Sequence, residues 1–287
     1  MKERIDPLIA ERAPWLFGKT PLAGSARVIL NALLGYDRTL ELGRRYRDMP
    51  TEAILAHVSD LLARDVTVSG LHNLPRHGPA LIVANHPTGI ADGIMLHHAL
   101  YPLRPDMFIY ANSDILRIMP QFDSLIAPVE WQIDKRTRAK TRETMEYTRA
   151  AISEGRIGVI FPSGRLARRR GLNLYERDWM ASAAMIARKF DLPVIPVNIR
   201  ARNSALFYMF DLIHPTLRDI TLFHETLNKS RQPFDITVGE PISPSALPAD
   251  PQQAIAMLRR ATLALGGKYA PTVDLIATSR VRAHLAG

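Results

Sequence analysis

Over roughly the first 65 residues, apolar positions recur at helical spacing. Ile54, Leu55, Val58, Leu61 and Leu62 form one stripe behind Thr51, a residue suited to capping a helix. Upstream, Trp15-Leu16-Phe17 precedes Val28, Ile29, Leu30, Leu33 and Leu34, with Lys19, Arg27, Arg38, Arg44, Arg45 and Arg47 around them. A segment of this kind suits either a lipid interface or packing against a main domain. From Val66 the pattern changes to short apolar runs at 66–69, 80–84, 107–110, 125–129, 157–161, 194–200 and 234–238. Several are continuously apolar, as strands buried on both faces are. Between and after them, 91–101, 138–153, 179–190, 205–227 and 251–265 carry helical patterning. The alternation predicts an α/β fold: a mixed, largely parallel sheet flanked by helices, with a helical segment over 1–65 ahead of a main domain over 66–287.

The chain's 287 residues, 47% hydrophobic, suffice for a substantial core, and no repeat or low-complexity tract divides them. A formal net charge of +9 predicts attraction to anions such as phosphate, nucleic acid or an acidic membrane face. With no cysteine, thiolate metal sites, disulfides and a cysteine nucleophile are excluded. Residues 1–14 mix charges without an apolar run, and 26–36 is interrupted by Arg27, Asn31 and Gly35. Neither a secretory signal nor a bilayer span is expected. The expected place is peripheral, on the cytoplasmic face of the membrane.

Candidate chemistry directly follows the second strand, in Asn85-His86-Pro87-Thr88-Gly89-Ile90-Ala91-Asp92-Gly93. A histidine at the carboxyl end of a buried strand sits where α/β sheets open their crevices. A turn containing Pro87 and Gly89 can bring the Asp92 carboxylate to the imidazole, fixing its tautomer and stabilising the imidazolium formed on accepting a proton. The same residues admit a structural reading, His86 in a turn and Asp92 capping the next helix.

A second constellation follows the strand at 157–161. Pro162-Ser163-Gly164 turns the chain so that backbone N–H groups and Arg165 can face an anion, with Arg168, Arg169 and Arg170 close behind. Arg165 and Arg168 are candidates for a headgroup, and Arg169 and Arg170 for a solvated, membrane-facing loop. A third basic run contains Lys135, Arg136, Arg138 and Arg142, the last two at the spacing of a charged helix face. His97-His98 lack a third ligand at a recognisable spacing, so no metal is expected. Ser163 is not in a Gly-x-Ser-x-Gly elbow, and no dinucleotide fingerprint or Gly-Lys-Ser/Thr loop occurs.

Asn85-His86…Asp92-Gly93, Phe161-Pro162-Ser163-Gly164-Arg165, Val194-Ile195-Pro196-Val197 and Val238-Gly239-Glu240-Pro241-Ile242 together resemble, in order and spacing, the glycerolphosphate and lysophosphatidic acid acyltransferase superfamily. The resemblance covers about Val66 to Ile242. It implies acyl transfer from acyl-CoA or acyl-carrier protein to a lyso-lipid. His86 and Asp92 would be the acid–base pair; Arg165, Ser163, Gly164 and Arg168 would serve the acceptor, with Arg136 and its neighbour Lys135 at its phosphate. Five residues, not four, separate His86 from Asp92, and Ser163 replaces the motif glutamate. That combination resembles the branch with hemolysin-like and lyso-ornithine-lipid acyltransferases, which leaves open a lysophosphatidate or an amino-acid lipid as acceptor. No cofactor is implied, the donor being a substrate, and the expected partners are lyso-lipid, donor and membrane surface rather than nucleic acid. Amides near Gly89 or Gly164 are candidate oxyanion donors. A catalytically silent anion-, lipid- or nucleic-acid-binding protein on the same fold is the alternative.

Overall fold

The computed structural model describes residues 1–130 and 136–279. Four helices come first: α1 (Lys2–Arg12), α2 (Pro21–Leu34), α3 (Tyr36–Tyr46) and α4 (Thr51–Leu62). The boundaries of α2 follow local chemistry. Thr20 accepts a hydrogen bond from the Ala23 amide, Pro21 occupies the first helical position, and Gly35 ends the helix in a left-handed conformation. Thr51, expected as the cap of α4, is instead its first helical residue, and its hydroxyl donates to the Gln121 carbonyl. Helices α1, α3 and α4 share a core, with Ile5, Leu8, Leu40 and Ile54 packed on Ile118 and Met119.

The main body follows in chain order as β1 (Val66–Ser69), β2 (Ala80–Ala84), α5 (Ile90–Leu100), β3 (Phe108–Asn112), α6 (Asp114–Ile118), β4 (Ile126–Val129), α7 (Arg138–Ser153) and β5 (Ile157–Ile160). Then come β6 (Arg168–Arg170), β7 (Asn173–Tyr175), α8 (Ser182–Lys189), β8 (Val194–Arg200), α9 (Ala205–Ile213), α10 (Pro215–Ile220), α11 (Leu222–Leu227), β9 (Phe234–Val238), α12 (Pro251–Ala264) and β10 (Thr272–Asp274). Seven strands form one sheet in the order β1-β9-β8-β2-β5-β3-β4. All its pairings are parallel except β8 with β9. This is the mixed, largely parallel sheet flanked by helices that the alternation predicts, and every run read as a strand lies in it.

The central strands are apolar on both faces because both are covered. Ile82, Ala84, Ile157 and Val159 pack with Leu55, Met95, Leu96 and Leu100 on one side. Leu81, Val83, Phe108 and Ile160 pack with Ala183, Ala187 and Leu258 on the other.

Three expectations are corrected. Residues 205–227 are three short helices, because Pro215 has no amide to continue α9, which ends at Ile213. The helix expected over 179–190 begins at Ser182. Arg169 and Arg170, expected in a solvated loop, belong with Arg168 to a strand of a separate three-stranded antiparallel sheet, β10-β7-β6.

Candidate active site

Strands β2 and β5 are parallel neighbours in register, Val83 opposite Ile160, so their carboxyl ends leave the sheet side by side. This brings the first and second motifs together: the His86 ring stacks on Phe161 with centroids 4.3 Å apart. Asn85 ends β2 by mimicking a further strand pair. Its Nδ2 donates to the Ile199 carbonyl at 2.8 Å, and its Oδ1 accepts from the Ile199 amide at 2.7 Å. The His86 backbone is then fixed on both sides, its amide donating to Glu176 Oε2 at 3.0 Å and its carbonyl accepting from the Ala167 amide at 2.9 Å.

Across the Pro-Thr-Gly turn, His86 Nδ1 lies 2.9 Å from Asp92 Oδ2. Asp92 is fully buried, and its carboxylate is saturated with donors. Oδ2 accepts from the Thr88 and Gly89 amides, each at 2.9 Å, and Oδ1 from the Thr88 hydroxyl at 2.5 Å. The two readings of Asp92 are therefore compatible: one carboxylate caps α5 and faces the imidazole. Gly89 has φ of +101°, and a Cβ there would stand 3.1 Å from Leu166 Cδ2, so a side chain in this turn would be strained by the backbone and crowded by Leu166. Nδ1 approaches Asp92 without reaching hydrogen-bond alignment, and Nε2 is the ring nitrogen left to serve the cavity that His86 lines.

That cavity holds about 1490 Å³ and extends from His86 to the inner sides of the N-terminal helices. Ile5, Leu8, Leu30, Leu34, Leu55 and Ile94 are among its apolar walls. Arg165, Arg177 and Arg218 also line it. Arg177 Nε donates to the Leu166 carbonyl at 2.8 Å, which places its guanidinium beside the motif turn. Burial lowers the proton affinity of Arg177, and the like charges of Arg218, Arg165 and Arg168 lower it further, with Asp211 partly compensating. The result is a concentration of positive charge beside the imidazole.

The other candidate residues fall as follows. Arg165 and Gly164 line the cavity, whereas Ser163 is buried and its hydroxyl donates to the Arg165 carbonyl at 2.8 Å. Arg168 lies on β6 and does not reach the cavity wall. Arg136 lines the cavity, but its Nε donates to the Glu130 carbonyl at 3.0 Å. Lys135 lies outside the described residues. The amides of Gly89 and Gly164, candidates for steadying an oxyanion, are both engaged, the first by Asp92 and the second by the Phe161 carbonyl at 2.9 Å. Among the described residues no cluster of three or more histidine or acidic side chains could hold a metal.

Two residues at the site were not singled out from the sequence. Glu176 is buried, and besides the His86 amide it accepts from Trp179 Nε1 at 2.9 Å; burial raises its carboxyl pKa, partly offset by these donors. Arg177 follows it. Neither belongs to a spaced motif, and the contact from Glu176 to His86 spans 90 positions, which leaves no local signal.

A histidine–carboxylate pair at the carboxyl end of the central strand of a largely parallel sheet, over an apolar cavity with arginines at its side, is an arrangement suited to acid–base chemistry on an amphipathic molecule. Residues 65–200 match the family model described as Acyltransferase. That stretch, a little under half of the chain, is thus similar to acyltransferases, and it contains His86, Asp92 and Arg165.

Among its relatives is a lyso-glycine lipid O-acyltransferase of Phocaeicola vulgatus, 26% identical over 189 residues, covering 64% of this chain and 66% of that protein. The protein of the same name from Bacteroides thetaiotaomicron is 24% identical over 189 residues, covering 64% and 68%. The chain thus matches about two thirds of the length of these relatives. Among solved structures, the 1-acyl-sn-glycerophosphate acyltransferase PlsC of Thermotoga maritima aligns with a TM-score of 0.48 at 15% identity, over 85% of this chain and 97% of that one.

Proposed function

We propose that this protein transfers a fatty acyl group from a thioester donor, acyl-CoA or acyl-carrier protein, to a hydroxyl of a lyso-lipid with an anionic headgroup. The observation that carries the reading is the pair of half-buried His86 and fully buried Asp92 at the side of the cavity, 2.9 Å apart, with Arg165 and Arg177 lining the same space. In the reaction, His86 Nε2 takes the acceptor's hydroxyl proton as its oxygen attacks the thioester carbonyl. Asp92 stabilises the resulting imidazolium. When the tetrahedral intermediate collapses, the C–S bond breaks and the imidazolium returns the proton to the thiolate, giving an ester and a free thiol. The O-acyltransferase names of the relatives favour a hydroxyl over an amine as nucleophile.

The apolar part of the cavity suits an acyl chain, and the arginines suit a carboxylate or phosphate headgroup. Membrane association belongs to the same proposal. No helix among the described residues is long and apolar enough to cross a bilayer. Helix α2, however, divides its apolar residues: Leu30 and Leu34 line the cavity, while Leu22, Val28, Ile29 and Leu33 face outward. An exposed apolar strip on a protein of net charge +9 suits peripheral binding at an anionic, cytoplasmic leaflet.

The deciding experiment follows thiol release from palmitoyl-CoA with lyso-glycine lipid or lysophosphatidic acid as acceptor. Because the chain has no cysteine, a thiol-reactive dye sees only product. His86→Ala should lose ~10²-fold or more in rate, and full activity in that variant would remove the mechanism.

A further inference from the structure

Behind the dyad lies a charged group that the reaction above does not use. Lys229, in the turn after α11, is 1% exposed. An ammonium is rarely buried without a purpose, since burial disfavours its charged form. Here burial lowers its pKa from the usual lysine value to about 8, and the carboxylates of Glu225 and Asp92 limit the fall. Its Nζ donates to Asn203 Oδ1 at 2.6 Å and to the Arg202 carbonyl at 3.1 Å, with Gln232 Oε1 at 3.3 Å and Glu225 Oε2 at 3.4 Å.

The shortest of these contacts leads to the active site. With Oδ1 held by the ammonium, the Asn203 carboxamide can only turn its Nδ2 the other way, where it donates to the Thr88 carbonyl at 3.3 Å. Thr88 in turn gives Asp92 its amide and its hydroxyl. Asn203, Thr88 and Asp92 are each at most 1% exposed, so bulk solvent does not reach this path.

We propose that Lys229, acting through Asn203, is a positioning residue that sets the Thr88 turn and thereby the alignment of Asp92 with His86. The proposal rests on the reading of His86 and Asp92 as the acid–base pair. Lys229 also sets the local charge balance. Asp92, Glu225 and Arg202 are the charged groups around it; Asp92 and Glu176 face His86, and Arg165, Arg177 and Arg218 line the cavity beside it. Removing the ammonium takes one cation from behind the dyad and leaves its other neighbours unchanged, which favours protonation of the site.

The test uses Lys229→Met, Lys229→Met combined with Glu225→Gln so that no buried carboxylate loses its partner, and Asn203→Ala, which leaves the Lys229–Glu225 pair in place. Palmitoyl-CoA and lyso-glycine lipid are the probes, and melting curves establish that each variant folds. In all three, kcat should fall about 10- to 100-fold, the range expected for a misplaced base, with KM for both substrates within about twofold. The acidic limb of the kcat/KM profile should move to higher pH in Lys229→Met and stay in place in Asn203→Ala. If the lysine variants fail to fold, Asn203→Ala alone decides. Wild-type kcat in Asn203→Ala, with His86→Ala inactive, overturns the relay and leaves the dyad standing. An active His86→Ala overturns both.

Discussion

Replacing Asp92 by asparagine tests the electrostatic half of the site with little change of shape. The amide can keep its carbonyl where Oδ2 stands, still accepting from the Thr88 and Gly89 amides and facing His86 Nδ1. Its NH2 group then meets the Thr88 hydroxyl, which can rotate to accept. The turn and the start of α5 are therefore retained, and what disappears is the charge opposite the imidazolium. Two unit charges 2.9 Å apart attract by about 6 kcal/mol at an effective dielectric constant near 20, equivalent to ~10⁴ in rate. That is an upper bound, because the carbonyl dipole keeps part of the attraction. The expected fall in kcat is ~10²- to 10⁴-fold, with a melting temperature close to wild type. Thiol release under saturating palmitoyl-CoA measures the first quantity and calorimetry the second. An Asp92→Asn enzyme with kcat within about threefold of wild type would show that the carboxylate only caps its helix.

Three further outcomes follow from particular contacts. Burial, then the charge of His98, pushes the His97 pKa down to about 4, with Glu52 partly opposing. His97 is thus neutral in the folded protein while the unfolded chain takes up a proton below its ordinary value. Stability should fall by at most ~3 kcal/mol as pH drops from 6.5 to 4, and denaturant melts of His97→Leu across that window should show a shallower pH slope. Arg104, 1% exposed, donates to the carbonyls of Pro75, Gly78 and Gly155 and pairs with Asp106 at 2.6 Å. Arg104→Met should therefore cost about 3 kcal/mol or more and lower the melting temperature by ~6–12 °C. Arg177→Ala should raise the acceptor KM about tenfold at nearly constant kcat, and equal loss with a neutral acceptor would deny it a headgroup role.

The sequence by itself determined whatever depends on residues near one another along the chain. Continuous apolar runs such as 80–84 and 157–160 have no polar face to give to water, so they had to be interior strands, and helices had to cover both sides. The spacing of His86 and Asp92 around a Pro-Thr-Gly turn already allowed their contact. Pro215 lay in plain view as the break in the helical pattern over 205–227, since a residue without an amide cannot continue a helix.

Tertiary structure decided what depends on remote neighbours. The parallel register of β2 and β5 puts Phe161 against His86, and that pairing is written in neither strand alone. Arg168–Arg170 pairs as a strand because β7 and β10 extend a short sheet beside it, and three consecutive arginines carry no apolar periodicity to announce this. Glu176 and Arg177 sit in an unremarkable stretch, and Lys229 looks like any surface lysine. Their environments come from contacts spanning 90 positions for Glu176 with His86 and 115 for Asn203 with Thr88. A burial of charge settled at that range is a property of the assembled fold, because only the approach of distant segments removes the water and supplies the partners.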